Sequence, residues 1–327
     1  MRNKPYIIAY TPFEEQTLEK LRQVGDVHVI DKKQGSFRDQ LAQHLPHVQA
    51  LIGSGLKVNA ELLDQAPNLK IVSNYSVGYD NFDIPELTKR GIMATNTPDV
   101  LTETTADLIF GILMATARRI PQLDRLVKDG KWTASVGREL FGTDVYGKTL
   151  GMIGLGRIGT AIARRGKFGF NMPILYHNRS RSEAAEAELG AQYCSLDELL
   201  KQSDYVCLMT PLSPETMNLI GEREFKLMKE TAIFINGSRG ATVDEEALIH
   251  ALETKQIAAA GLDVYVKEPL PANSSLLNME HVVTLPHVGS ATIATRDAME
   301  ALAADNVIAG VTGQKPPTLI NQEVWRD

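Results

Sequence analysis

Short apolar runs alternate with stretches of helical periodicity along nearly the whole chain. Early runs fall at 6–10, 27–30, 50–52, 69–73 and 91–94, separated by polar helical stretches such as 14–24 and 59–65. Such alternation predicts a parallel sheet with helices on both faces. The loop over 74–81 follows the fourth run, at a strand end where ligands collect in such sheets. Asn96-Thr97-Pro98-Asp99 breaks the pattern, and a helix capped at Thr102 or Asp99 is predicted to run to about Arg119. Between Leu108 and Ala117 it is apolar on nearly every face, so it is expected to be buried all round, partly by a second subunit. Pro121 is predicted to close it.

A second alternating set begins at Lys148, with strands predicted at 149–153, 174–176, 205–209, 232–236, 259–263 and 282–285. Helices are predicted near 157–167, 182–189, 196–201, 222–227 and 244–253. Six strands with helical crossovers match the doubly wound dinucleotide fold. A last helix, from Thr292 to about Gly310, has no strand after it. It is expected to return to the first domain, leaving that domain discontinuous around an inserted second one.

Composition narrows the partners more than the fold. A length of 327 residues fits two domains of roughly 100–200 residues each. Basic residues number 34 and acidic ones 40, for a net charge of −6, which argues against nucleic acid or an anionic membrane as partner. Cys194 and Cys207 are the two cysteines, with no C-x-x-C. Cys207 lies in an apolar run and is expected to be a buried strand cysteine, so a reducing cytoplasm is the simple reading. The run at 6–10 is too short for a signal peptide. The longest apolar stretch, 108–117, is half the ~20 residues a membrane span needs.

The first chemistry lies at Gly154, Gly156 and Gly159, a G-x-G-x-x-G between a predicted strand and a helix. That spacing gives a tight turn, a backbone bare enough to touch a pyrophosphate, and close helix–strand packing. The helix that follows, opening at Arg157 and Ile158, aims its N–H groups and dipole at phosphates. Arg239, Glu268 and His287 each follow a different predicted strand of this second set, so their side chains can converge on one crevice. Reduction of a keto acid needs a cation for the carboxylate, a proton donor for the forming alkoxide, and a group tuning that donor. Arg, His and a carboxylate supply these. By pattern alone, three surface residues in strand-to-helix loops fit equally well.

These segments resemble the D-isomer-specific 2-hydroxyacid dehydrogenases: Gly154 to Gly159, Asn236-Gly237-Ser238-Arg239-Gly240, Gly261-Leu262-Asp263-Val264-Tyr265 with Glu268-Pro269, and Pro286-His287-Val288-Gly289-Ser290. Ser76-Val77-Gly78-Tyr79-Asp80-Asn81-Phe82-Asp83 and Lys131-Trp132-Thr133-Ala134-Ser135 look most like the bacterial glyoxylate/hydroxypyruvate reductases, including the branch also called 2-ketogluconate reductases. The resemblance implies an α/β protein of two doubly wound parallel-sheet domains. A Rossmann cofactor domain (100–290) would be inserted into a flavodoxin-like substrate domain (1–99 plus 291–327). It implies that Arg239 holds the substrate carboxylate, His287 protonates the keto oxygen, and Glu268 pairs with His287. The N–H groups of Val77 and Gly78, with Ser76 nearby and Leu56 lining the pocket, would receive the carboxylate. Thr105 would sit at the nicotinamide end, Thr210 and Pro211 beneath the adenosine, and Gly237 and Asp263 on the nicotinamide amide, with Ser238 and Gly289 in the same set. A homodimer through the 100–145 region is also implied.

One departure bears on the coenzyme. NAD enzymes of this fold carry Asp or Glu at the end of the second strand, on the ribose 2′-OH. Here Asn178-Arg179-Ser180-Arg181 stands there instead, offering guanidinium forks to a 2′-phosphate, so NADP(H) is expected over NAD(H). The bland alternative is a solvated loop. Rivals for the function are a same-fold dehydrogenase of phosphoglycerate, phosphite or formate, and a coenzyme-sensing corepressor. His44 and His47 are expected to be solvated loop histidines, and His177 a strand-end residue or a neighbour of the adenine ribose. Trp132 is expected to be a local core residue before a residue reaching a neighbouring active site, and Lys57 a solvated lysine before a contact to a hydroxylated substrate tail. No metal site is expected.

Overall fold

In this computed structural model, which describes residues 4–31, 33 and 35–326, the apolar runs become short parallel strands. One unit comprises the stretch up to Leu101 and the stretch from Ala291 onward; the other is Thr102–Ser290. The first contains β1 (Tyr6–Ala9), β2 (Asp26–Val29), β3 (Ala50–Gly53), β4 (Ile71–Asn74) and β5 (Met93–Thr95), in the order β2-β1-β3-β4-β5. β3 and β4 are buried along their whole length, as strands covered on both faces must be, and edge strand β2 is not. Helices α1 (Glu15–Arg22), α2 (Phe37–His44), α3 (Ala60–Asp64) and α4 (Ile84–Lys89) connect the strands. Ser36, Asn59 and Asp83 cap α2, α3 and α4 through their side chains.

The second unit carries seven parallel strands: β6 (Leu150–Ile153), β7 (Ile174–His177), β8 (Gln192–Tyr193), β9 (Tyr205–Leu208), β10 (Ile233–Asn236), β11 (Ala259–Leu262) and β12 (Val282–Thr284). Their order is β12-β11-β10-β9-β6-β7-β8, so the chain reverses direction across the sheet between β6 and β9. Six strands were expected; β8 is a two-residue exposed edge strand, too short to leave a pattern. Side chains alternate between two cores, with Tyr205 and Cys207 of β9 on one face and Val206 and Leu208 on the other. Cys207 is fully buried, and burial pushes its thiol up to about 12.

Helices α5 (Thr102–Ala117), α6 (Ile120–Lys128), α7 (Arg157–Arg164), α8 (Glu183–Leu189), α9 (Leu196–Gln202), α10 (Glu222–Leu227) and α11 (Glu245–Glu253) belong to this unit, and α12 (Ile293–Thr312) to the first. α12 packs on β3, β4 and β5, and its Ala303 carbonyl accepts from Ser73 Oγ at 3.0 Å. The tail beyond it is pinned by Asn321, whose side chain bonds Ala94 N–H and the Ile92 carbonyl. Within this one chain Gly111 of α5 is exposed, and Leu108, Met114 and Ala115 are half-buried. Pro121 does not simply end that helix. Arg119 takes a left-handed φ of 55°, and Pro121 sits in the first turn of α6, where a missing N–H costs nothing. None of α6 is buried.

Candidate active site

The glycine turn has the shape its spacing demands. Gly154 has φ +95°, and a Cβ there would lie 2.7 Å from Met209 C and 2.9 Å from Thr210 N. A Cβ on Gly159 would lie 2.2 Å from the Gly154 carbonyl oxygen, so α7 packs directly on the turn. Gly156, at the head of α7, faces open space. Asn178 Oδ1 accepts from Leu155 N–H at 2.8 Å and fixes the turn from the end of β7. Across the switch point, Thr210 Oγ1 is buried with no partner among the described residues, and Pro211 is exposed beside it. A bare glycine cradle, a helix N-terminus and an orphaned hydroxyl at the carboxyl ends of β6 and β9 fit a dinucleotide. Arg157 is exposed and Ile158 half-buried in the first turn of α7.

Arg179, Ser180 and Arg181 are all exposed beyond β7. Arg181 donates to both oxygens of Glu186, from Nε at 3.0 Å and Nη2 at 2.7 Å. Tyr176 Oη donates to the same carboxylate at 2.5 Å. Arg181 first, and Tyr176 second, pull the Glu186 carboxyl down to about 2.

At the other end of the sheet the ionisable trio comes together. His287 Nδ1 lies 2.8 Å from Glu268 Oε2, and Glu268 Oε1 accepts from Tyr265 N–H at 3.1 Å. Burial works to raise the Glu268 carboxyl, but the bonds from His287 and Tyr265, with the charges of His287 and Arg239, hold it below the usual carboxylate range. Arg239 is thus near enough to act on the same carboxylate. Its loop is shaped by Asn236, whose side chain bonds Ser238 N–H, Ser238 Oγ and the Arg239 carbonyl, and by Thr242, which bonds that carbonyl at 2.6 Å. Gly240 is obligatory: a Cβ there would fall 1.8 Å from the Tyr265 carbonyl carbon.

His287 occupies the left-handed region, with φ 56°. What holds it there is Asp263, whose two oxygens accept from Val288 N–H at 2.8 Å and Gly289 N–H at 2.9 Å. Burial is the main cause that pushes the Asp263 carboxyl up, against those two bonds and the charge of His287. Tyr265 Oη bonds the Leu285 carbonyl and ties the start of the same loop down. Thr105, buried on α5, packs with Asp263 around Gly289, where a Cβ would meet Thr105 Cγ2 at 3.2 Å. Gly237 packs against Ile109 and Met209.

In the first unit, Asn96 and Thr97 set the 75–78 backbone. The Ser76 carbonyl accepts from Thr97 N–H at 3.0 Å, and the Val77 carbonyl from Asn96 Nδ2 at 2.8 Å. In trans peptides N–H opposes C=O, so the N–H groups of Val77 and Gly78 both face away from β5. Asn74 Nδ2 holds the Gly78 carbonyl, and Asn81 Nδ2 holds that of Leu56, a half-buried residue beside exposed Lys57. Asn74, Asn96, Asn236, Thr242 and Tyr265 shape the site without a periodic signal of their own; Asn236 and Tyr265 are marked only by the motifs they stand in.

Other expectations need correction. Trp132 is 63% exposed rather than in a local core. His44 is the last residue of α2, bonded through Nδ1 to Tyr6 Oη at 2.6 Å, with Tyr6 stacked on His28; it is no solvated loop residue, although His47 is exposed. His177 ends β7 with Nδ1 3.0 Å from the Cys194 carbonyl. Among the described residues, no group of three or more His, Cys, Asp or Glu is placed to hold a metal, and no helix is long and apolar enough to cross a membrane.

The family model described as D-isomer specific 2-hydroxyacid dehydrogenase, NAD binding domain, matches residues 110–289. Over 321 residues the chain is 47% identical to glyoxylate/hydroxypyruvate reductase B of Shigella dysenteriae serotype 1, covering 98% of this chain and 99% of that one. The protein of the same name from Escherichia coli K12 matches equally. A solved structure, the NADPH-dependent glyoxylate/hydroxypyruvate reductase of Sinorhizobium meliloti with NADP and malonate, superposes with TM-score 0.87 at 34% identity over 99% of both chains.

The Asp263 clamp is testable in isolation from any activity. Asp263→Asn replaces one acceptor oxygen with a donor facing an N–H. Losing a charge-assisted bond of about 1.5–3 kcal/mol should speed amide hydrogen exchange at Val288 and Gly289 by roughly 10- to 100-fold. Unchanged protection at both amides would show that the loop holds itself.

Proposed function

We propose, from the premise that this chain belongs to the D-isomer-specific 2-hydroxyacid dehydrogenase family, that it reduces small 2-keto acids to D-2-hydroxy acids. Glyoxylate and hydroxypyruvate are the first substrates, with 2-ketogluconate in the same class. The observation that carries the reading is the 2.8 Å contact of His287 Nδ1 with Glu268, on a carboxylate that also feels Arg239.

With Nδ1 given to Glu268, Nε2 is the nitrogen left to deliver a proton to the keto oxygen. Glu268, its carboxyl held below the usual range, is ionised at neutral pH and fixes the orientation of the ring. Arg239 matches a carboxylate with a planar fork and draws electron density from the adjacent carbonyl. A bound reduced nicotinamide supplies the hydride. Thr105, Gly237, Ser238, Asp263 and Gly289 are assigned to its ring, and Gly154, Gly156, Arg157, Ile158, Gly159, Asn178, Thr210 and Pro211 to the remainder. In the first unit the N–H groups of Val77 and Gly78, with Ser76 and Leu56, are assigned to the substrate carboxylate and its surroundings. Residues 100–290 are the coenzyme domain of this reading, and 1–99 with 291–327 the substrate domain.

NADPH is the preferred coenzyme in this proposal. No acid ends β7, two arginines and a serine follow it, and the similar Sinorhizobium meliloti enzyme is described as NADPH-dependent. The enzyme works in the cytoplasm as a homodimer through the 100–145 region. Support for that assembly comes from large apolar residues left exposed in this region: Ile120, Val127, Trp132, Val136 and Phe141.

Three measurements test the proposal. His287→Ala should lower kcat with glyoxylate and hydroxypyruvate about 10²- to 10⁴-fold with coenzyme affinity nearly intact, whereas Arg239→Ala should damage both KM and kcat. Near-normal turnover in either variant refutes that residue's role, and no turnover in the parent enzyme makes this a binding protein. Glu268→Gln keeps an oxygen that can face His287 but removes the anion that holds the ring, and should lower kcat about tenfold or more with KM for the keto acid nearly unchanged; an unchanged kcat would deny Glu268 its part. Sedimentation of the full chain should give twice the chain mass, and Val127→Glu should shift it toward a monomer; a monomeric parent chain ends the dimer proposal.

A further inference from the structure

The loop offered to the 2′-phosphate is supported from beneath. Tyr176, fully buried in β7, donates its hydroxyl to Glu186 at 2.5 Å and accepts from Ser182 N–H at 2.8 Å. Glu186 in turn takes Arg181 by Nε and Nη2. On the opposite side Arg181 lies 6.0 Å from the centroid of the Tyr193 ring, and Tyr193 Oη bonds the Asn178 carbonyl. A carboxylate that moves would merely neutralise an arginine; this one is held by a phenol anchored in the sheet.

Resting on the NADPH reading above, we propose that Glu186, fixed by Tyr176, is a coenzyme-specificity residue: it positions Arg181 as a receiver for the 2′-phosphate instead of competing with that phosphate. Glu186 uses one edge of the guanidinium, Nε and one N–H of Nη2. The other edge, Nη1 with the second N–H of Nη2, is left in the geometry that takes a phosphate bidentately. Holding the side chain beforehand removes the ordering cost that a free surface arginine meets on binding. Repulsion between Glu186 and the phosphate works against this gain. It acts across a solvent-exposed site, where Arg181 is 64% exposed, and is weakened by water and salt.

The test uses the full chain and two probes, 2′,5′-ADP and 5′-AMP, with Kd measured by calorimetry. The parent protein should prefer 2′,5′-ADP, and Arg181→Ala should remove most of that preference. Glu186→Ala should weaken 2′,5′-ADP about three- to tenfold and leave 5′-AMP unchanged. Glu186→Gln, whose one oxygen can still accept from Arg181 Nε and Tyr176 but whose amide nitrogen faces Nη2, should recover part of the loss. Tighter 2′,5′-ADP binding in Glu186→Ala would mean competition and overturn the proposal. An equal effect on both probes would mean a purely structural role, and no effect on either would mean none. A parent protein without preference refutes the NADPH reading and this inference with it; an intact preference that ignores Glu186 refutes the inference alone.

Discussion

The N–H groups of Val288 and Gly289 end on the two oxygens of Asp263, and the remaining geometry of the trio follows from that pair of bonds. A left-handed backbone costs a non-glycine residue roughly 1–2 kcal/mol. Hydrogen bonds to a charged group contribute about 1.5–3 kcal/mol each, so the clamp outweighs the strain it imposes on His287. Only an ionised carboxylate can do this, because both of its oxygens must accept. Burial pushes Asp263 up, while Glu268 is held below its ordinary range. The two acids shift in opposite directions because burial outweighs the bonds to Asp263, whereas the bonds from His287 and Tyr265, with the nearby charges, outweigh burial at Glu268.

A second constraint is steric. Gly240 meets the Tyr265 backbone so closely that any side chain would part the loops after β10 and β11. That approach brings Arg239 and Glu268 near one another although 29 residues separate them (268 − 239). Tyr265 then serves both sides, with its N–H on Glu268 and its hydroxyl on the Leu285 carbonyl just before His287. Three loops from three strands are joined by main-chain and phenol contacts before any of the trio's side chains is considered. The trio is preorganised in this sense, and its geometry does not wait for a ligand.

Which parts of this were legible in the sequence depended on whether a residue's role repeats along the chain. Strands buried on both faces leave runs such as 205–209, and the glycine spacing at 154–159 leaves a turn, because each signal sums several residues. Asn96 and Asn236 leave none: each acts through one side chain on a neighbouring carbonyl or N–H, and an asparagine at a strand end looks like any turn residue. β8 was hidden by its length of two residues. Pro121 misled because proline ends one helix and opens the next equally well, and only the φ of Arg119 separates the two. Tyr6 and His28 gather His44 from 38 and 16 positions away (44 − 6; 44 − 28), a contact that local periodicity cannot express.

Strand order, finally, decides how the two chemical ends of the coenzyme unit are separated. Arg239 and His287 follow β10 and β12; Asn178 to Arg181 follow β7. From β7 to β11 the sheet crosses β6, β9 and β10, four steps of about 4.8 Å, or roughly 19 Å along the carboxyl edge. In chain order β8, β9 and β10 lie between β7 and β11, and nothing in the sequence spacing measures the distance across the sheet. Placing β6 and β9 side by side sets the glycine turn between the two ends, one strand from β7 and three from β11, with Gly154 packed against Met209 and Thr210. A pyrophosphate at that turn would leave one arm directed toward Arg181 and the other toward Asp263. In the proposed reading, discrimination at the 2′ position and proton delivery at His287 occupy opposite ends of one sheet, so that a change at Glu186 would alter which coenzyme is held without touching the carboxylate beside His287.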